Sequence, residues 1–331
     1  MSKVLLPPRS TGLMIFESVA SIALVILTVI GNVFIFVALY RNPRLRNSAN
    51  IYIAALAITD ILNACIPGTL FASTVVSGKM VLSLHLCRLS GFLVHFLAYV
   101  SMTTMTLTAI NRYLRVVKPK YYQRIFGGKR SLIMLGVLWL LIASFVLYPT
   151  FIGVGEFNFN PALSLCAYKF ANPVAEIIFT VIVVSVVVVF CLSVVCFSYY
   201  HVFKTIREHN AGVLSSLRGV SVQEINLSKV LFVLVLAFAL CWLPTFVIIL
   251  VIRVFMEKVP HELAVMIPFL LQTTSVLNPF IYGALSPPFK REFRNLLTFQ
   301  KNRRISDQGQ QSSPPLRLEF ISTQSKRDVS N

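Results

Sequence analysis

The sequence predicts an all-α membrane protein: a bundle of seven transmembrane helices followed by a short amphipathic eighth helix. Three observations carry this reading. The 331 residues are 56% hydrophobic and only 13% charged, with a mean hydropathy of +0.77. A water-soluble domain of that size keeps far more polar surface. Seven apolar runs reach the length of about 20 residues that a bilayer crossing needs: 13–40, 48–76, 86–114, 131–152, 173–203, 226–253 and 262–285, here spans 1 to 7. The basic residues then alternate with the spans. With the N-terminus outside, 23 of the 30 Lys and Arg fall on the inner side, as the positive-inside rule requires.

Each element has its own signal. Residues 1–12 are a short extracellular N-terminus without the small-residue cleavage pattern of a signal peptide, so span 1 is expected to serve as signal and anchor. Span 5 contains TVIVVSVVVVFCLSVV, whose β-branched residues read as strand in water. In lipid every backbone amide must be paired within its own segment, so helix prevails. Residues 13–285 form the bundle. Residues 286–299, with FKREFRNLLTF, form a membrane-surface helix with a Phe/Leu face and basic residues. Residues 300–331 are polar and Pro/Ser/Gln-rich, a disordered cytoplasmic tail. The net charge of +18 is set mostly by topology and by attraction to anionic inner-leaflet lipid. Because the charge lies between spans, nucleic acid is not an expected partner.

Four of the six cysteines, Cys65, Cys191, Cys196 and Cys241, fall within spans and read as packing residues. Cys87 and Cys166 fall on the predicted outer, oxidising side, where a disulfide would tie span 3 to the loop between spans 4 and 5. Asp60 lies midway along span 2, where an ionisable group points to function. Ser101, Thr274, Ser275 and Asn278 supply neutral oxygens on neighbouring spans. Such a set can hold a small cation such as Na⁺, keep the acid protonated, or satisfy it by hydrogen bonds alone. Pro244 in FALCWLP and Pro279 in NPFIY each remove a backbone hydrogen bond and predict kinks, with Trp242 and Asn278 beside them.

These residues, taken in order, resemble the rhodopsin-like (class A) G-protein-coupled receptors. The matching positions are Gly31-Asn32, Leu56-Ala57-x-x-Asp60, Cys87 with Asn111-Arg112-Tyr113 beyond it, Trp139 and Pro149, and Tyr199. They continue with Phe238-x-x-Cys241-Trp242-x-Pro244, Asn278-Pro279-x-x-Tyr282 and Phe289, so the resemblance covers about residues 13–300. It implies a plasma-membrane receptor, not an enzyme, that binds an extracellular ligand and activates a heterotrimeric G protein. Arg112 is then the coupling residue, held by Glu224 in the off state and taken over by Tyr199 and Tyr282 in the active one. Such an exposed-end ion pair is modest in energy yet biases a two-state equilibrium. Trp242, Phe238, Asn278 and Pro279 belong to the same switch. The family's acid before the Arg is Asn111 here, which cannot neutralise a guanidinium, so signalling without ligand is expected. Asn-Arg-Tyr also occurs in melatonin receptors.

The resemblance also implies a pocket in the outer third, lined by Val94, His95, Ala98, Tyr168, Phe179, Trp242, Thr245, Phe246, Ile249, Pro268 and Gln272. Val94 stands where amine receptors carry Asp, which argues against a simple biogenic amine, although Glu176 is near. Gln272 stands where opsins carry the Schiff-base lysine, so no retinal is expected. The apolar lining suits a neutral or lipophilic small molecule. Melatonin itself fits poorly, because Pro149 and Val187 occupy its polar anchor positions. A peptide ligand, or a receptor active without any ligand, is the alternative. In the tail, Ser306 after Arg303-Arg304-Ile305, with Ser312, Ser313, Ser322, Thr323 and Ser325, would serve receptor kinases and arrestin. Asn226-Leu227-Ser228 has a glycosylation pattern on the wrong side of the membrane. Transporter and intramembrane-enzyme readings fail for want of inverted repeats and of Ser/His, paired-Asp or HExxH sets.

Overall fold

The computed structural model describes residues 4–42, 45, 48–81, 83–210, 222–256 and 259–298. The tail serines and threonine lie outside the described residues, as does the side chain of Glu224, whose backbone belongs to span 6. The seven spans are Thr11–Arg41, Asn50–Ser77, Leu84–Val116, Gly128–Phe151, Pro173–His209, Ile225–Ile252 and His261–Leu285. The helix Pro287–Leu297 follows.

Helix starts are chosen by side chains that accept orphan amide protons. Ser10, Ser83 and Asn172 accept from the amides of Leu13, Leu86 and Ala175 at 3.3, 3.4 and 2.8 Å. Pro173 at the first position of span 5 has no amide to satisfy. Span 2 stops at Gly78, whose φ of +66° is left-handed and suits glycine. Half or more of the most apolar stretch of spans 2, 3 and 7 is buried, against 17% in span 4. Spans 2, 3 and 7 are therefore central, and span 4 presents Leu140, Leu141 and Tyr148 outward.

Two spans contain wide π turns that the sequence reading lacked: Ala64–Gly68 around Pro67, and Val183–Phe190 in span 5. The loop between spans 4 and 5 is an antiparallel hairpin of β1 (Gly155–Asn160) and β2 (Leu165–Phe170), with Phe157 opposite Tyr168 and Phe159 opposite Cys166. Cys87 and Cys166 form a disulfide. Between spans 3 and 4 lies a further short helix, Pro119–Ile125.

The N-terminal segment is built into the fold. Leu5 bridges to Lys79, and the Leu6 amide donates to the Gly78 carbonyl at 3.0 Å. Arg9 Nη1 donates to Glu17 Oε2 at 2.6 Å and Arg9 Nη2 to the Val75 carbonyl at 3.1 Å. His261 Nε2 lies 3.1 Å from Glu17 Oε1. These three side chains are 3%, 1% and 2% exposed, so an ionic cluster is sealed between the N-terminus and spans 1, 2 and 7.

Spans 1 and 7 meet at glycine on proline. A Cβ on Gly31 would lie 2.5 Å from Pro279 Cγ. Gly31→Val is expected to cost roughly 1–3 kcal/mol by overpacking, read as a lower midpoint of thermal unfolding in detergent. An unchanged midpoint would show that this contact yields freely.

Candidate functional site

At one end of the bundle, span 3 delivers Arg112 into a site where it is 1% exposed. Its Nη2 and Nε donate to the Asn111 carboxamide oxygen at 2.6 and 3.2 Å. Asn111 thus supplies an acceptor but no countercharge. Tyr199 from span 5 lies within electrostatic reach of Arg112, and Tyr282 from span 7 within reach of Tyr199. Both phenols are buried, and neither hydroxyl has a hydrogen-bond partner among the described residues. Tyr113 turns away from this group, onto Phe197 and His201 of span 5, with ring centroids 5.6 and 6.0 Å away.

Midway along the bundle, Asn278 Nδ2 donates to Asp60 Oδ2 at 2.7 Å. Ser101 pairs its hydroxyl with that of Thr59 at 3.1 Å. Pro279 has no amide proton, which frees the carbonyl four residues earlier, that of Ser275. Asn32 Nδ2 donates to that carbonyl at 3.1 Å and to the Thr28 carbonyl at 2.9 Å. Span 1 therefore repairs the hydrogen-bond deficit that Pro279 leaves in span 7. Above it, Phe238 and Trp242 stack at 5.0 Å, and Trp242 meets Phe246 at 5.6 Å.

At the disulfide end a cavity of about 290 Å³ is lined by Val94, His95, Ala98, Tyr168, Phe179, Trp242, Thr245, Phe246 and Ile249, among others. Pro268 and Gln272 are not in its lining. Ala264, Ile267 and Leu271 line it from span 7 instead. That stripe, at i, i+3 and i+7, is one helical face, and residues one position on point elsewhere. A Cβ on Gly68 would lie 2.6 Å from Gln272 Nε2, so Gln272 faces span 2.

The hairpin covers this cavity. Gly91 lets it approach, since a Cβ there would lie 2.9 Å from Phe157 Cδ1 and 3.1 Å from the Cys166 carbonyl oxygen. His95 Nδ1 is 2.8 Å from the Gly91 carbonyl, and its ring meets Tyr168 at 4.9 Å. Burial pushes the Tyr168 phenol up from its ordinary pKa, keeping it neutral. Tyr168 Oη and Trp242 Nε1 are buried without partners among the described residues. Thr245 spends its hydroxyl on the Cys241 carbonyl at 2.9 Å. Glu176 also lines the cavity.

The description "7 transmembrane receptor (rhodopsin family)" matches residues 31–282. The chain belongs to this receptor family. Its similarity extends to the melatonin receptor type 1B-B of Danio rerio, 29% identical over 278 residues, covering 82% of this chain and 79% of that protein. The melatonin receptor type 1A of Ovis aries is 29% identical over 299 residues, covering 88% of this chain and 79% of that protein. Among solved structures, squid rhodopsin superposes with a TM-score of 0.77 at 18% identity, over 90% of this chain and 91% of that one. At that identity the match shows a shared fold.

The receptor also uses residues that sequence reasoning passed over. Arg9, Glu17 and His261 were legible only as an acid inside span 1 with a cation eight residues before it and an imidazole at the start of span 7. Tyr99 and Asn160, which line the cavity, lacked any local signal.

Proposed function

We propose that this receptor sits in the plasma membrane with its disulfide end outside and its Arg112 end inside, binds a neutral or lipophilic small molecule, and activates a heterotrimeric G protein. The observation that carries the ligand class is the lining of the cavity. It is mostly aliphatic and aromatic, has Val94 where a carboxylate would hold an amine, and offers two unpartnered hydrogen-bonding atoms. A molecule with an apolar body and a hydrogen-bond acceptor for the Trp242 N–H matches that inventory. The kinship with receptors named for melatonin favours a compact ligand over a peptide.

Arg112 is the coupling residue in this reading, with Tyr199 and Tyr282 as its polar partners. Glu224 is its off-state partner. Asp60, Ser101, Ser275 and Asn278 form an oxygen-donor set of the kind a hard cation such as Na⁺ accepts, with Asp60 and Asn278 holding it. The pocket needs no retinal, because Gln272 replaces the lysine. The protein performs no bond chemistry of its own. The tail, with Ser306, serves receptor kinases and arrestin.

A second reading, signalling without ligand, is favoured by the Asn111 contact, which positions Arg112 without neutralising it. Both readings meet one experiment: cAMP and calcium signals in ligand-free cells, at matched surface expression. Wild type is expected to signal, Arg112→Ala to be silent, and Asn111→Asp to signal several-fold less than wild type by adding a carboxylate at the position that already bonds Arg112. A silent wild type would remove the ligand-independent reading. Signalling undiminished in Arg112→Ala would remove Arg112 from the coupling role. An epitope on the tail that is reached in intact cells would overturn the orientation.

A further inference from the structure

Spans 1 and 7 are tied at two heights and stand apart between them. Toward the disulfide end Glu17 meets His261. Toward the Arg112 end Asn32 bonds the Ser275 carbonyl, and Gly31 packs on Pro279. Between the ties lies a second cavity, of about 530 Å³, lined by residues from Leu13 to Leu24 of span 1 and from Glu262 to Thr273 of span 7. It shares no lining residue with the cavity under the hairpin. On span 7 its stripe is Glu262, Val265, Met266, Phe269, Leu270 and Thr273. By helical period that is the face opposite Ala264, Ile267 and Leu271.

The walls are apolar, and Ala20 and Ala23 leave the room by presenting only methyl groups. Phe16 and Met266 line the cavity and are 66% and 47% exposed, so it opens on the bilayer side as a groove. Each wall runs about 17 Å at the rise of an α-helix, close to the roughly 15 Å of hydrocarbon in one leaflet. Its charged groups gather at the disulfide end, where Glu17 and Glu262 both line it. Glu17 gives Oε2 to Arg9 and Oε1 to His261, and each oxygen keeps a further lone pair. Arg9 balances Glu17, and a neutral His261 suffices as its second donor. Glu262 is exposed and has no ion-pair partner among the described residues, so its charge is left over.

We propose that this groove binds a single-chain membrane amphiphile with an ammonium head, a long-chain primary amine. The chain lies against Ala20, Ala23 and Phe269. The ammonium has three donors and gives them to Glu262 and to a spare lone pair of Glu17. A fatty acid fits the walls, but its carboxylate meets two acids and is repelled. A phospholipid brings a phosphate to the same place. A long-chain alcohol fits the walls and leaves Glu262 without a countercharge. Only the choice of the outer leaflet rests on the orientation proposed above; the groove and its occupant do not.

The test uses the full-length receptor in phosphatidylcholine nanodiscs and tetradecylamine with a photoreactive diazirine in its chain. Saturable labelling is expected, on peptides from Leu13 to Leu24 and from Glu262 to Thr273. Plain tetradecylamine is expected to compete, tetradecanol to compete about fivefold more weakly, the upper worth of one exposed ion pair, and tetradecanoic acid not to compete. Glu262→Gln is expected to weaken the amine about fivefold and to erase its preference over the alcohol. Ala23→Phe fills the groove and is expected to cut affinity roughly tenfold or more. Thermal melting checks that both variants fold. If Ala23→Phe does not, the labelled peptides and Glu262→Gln decide the matter. Equal competition by amine and alcohol in wild type overturns the proposal. So does labelling spread over other spans, labelling of the cavity under the hairpin, or a folded Ala23→Phe that labels as wild type. The readout is binding in the absence of G protein, so its failure leaves the coupling reading and the orientation untouched.

Discussion

Glu17→Leu is expected to lower the stability of the receptor by about 3–5 kcal/mol, the usual cost of removing one partner from a buried ion pair. The cause is the company Glu17 keeps. Arg9 and His261 both bond its carboxylate, at 2.6 and 3.1 Å, in a site almost closed to water. Without the acid, a guanidinium and an imidazole face each other with nothing between them. Arg9→Met is expected to cost less, because Glu17 keeps its contact with His261. The triple variant Arg9→Met/Glu17→Leu/His261→Phe is expected to recover most of the loss, since a well-packed apolar cluster often matches a buried ionic one. Thermal unfolding of purified receptor in detergent reads all three. If Glu17→Leu melts with wild type, the cluster is not holding the N-terminus down.

Cys166→Ser is the second large effect. The disulfide joins positions 79 residues apart. Chain-entropy reasoning gives about 4.5 kcal/mol for a loop of that length. That figure is an upper bound here, because spans 3 and 4 stay threaded through the membrane when the protein loosens. The sharper consequence is local. Cys166 lies on the strand that also carries Tyr168 over the cavity, and its carbonyl oxygen rests against Gly91. Reduction or substitution is expected to free the hairpin and weaken ligand binding at least as much as stability. A radioligand that binds Cys166→Ser as tightly as wild type would show that the hairpin is not part of the pocket.

The bundle was legible because hydropathy and charge act over whole spans. All seven are where the apolar runs lie. Asp60 and Arg112 were legible because ionisable groups are costly in lipid, while Trp242, Asn278 and Tyr282 were legible only as members of an ordered set of motifs that resembles the receptor family. What escaped has a common character. Pro268 and Gln272 fell to the cavity by position alone, yet which face of span 7 meets it depends on rotation, and that is decided by packing against spans 2 and 6. The N-terminus is too short to suggest structure, so the burial of Arg9 could only come from the partners waiting for it. The hairpin and the Pro119–Ile125 helix lie in loops, where apolar periodicity is brief.

The π turn through Val183–Phe190 has a consequence for how this chain tolerates change. A wide turn holds an extra residue, and each residue of a helix advances the following side chains by about 100°. Everything beyond Phe190 in span 5 is therefore clocked round relative to a plain helix, and it is in that setting that Tyr199 looks inward toward Arg112. Deleting one valine from the run would take out that extra residue, so the wide turn can close to an ordinary helical turn and leave Tyr199 facing Arg112. The plain helix below it, Cys191–Asn210, has no such slack. A deletion there before Tyr199 would swing Tyr199 out toward lipid like a key turned in its lock.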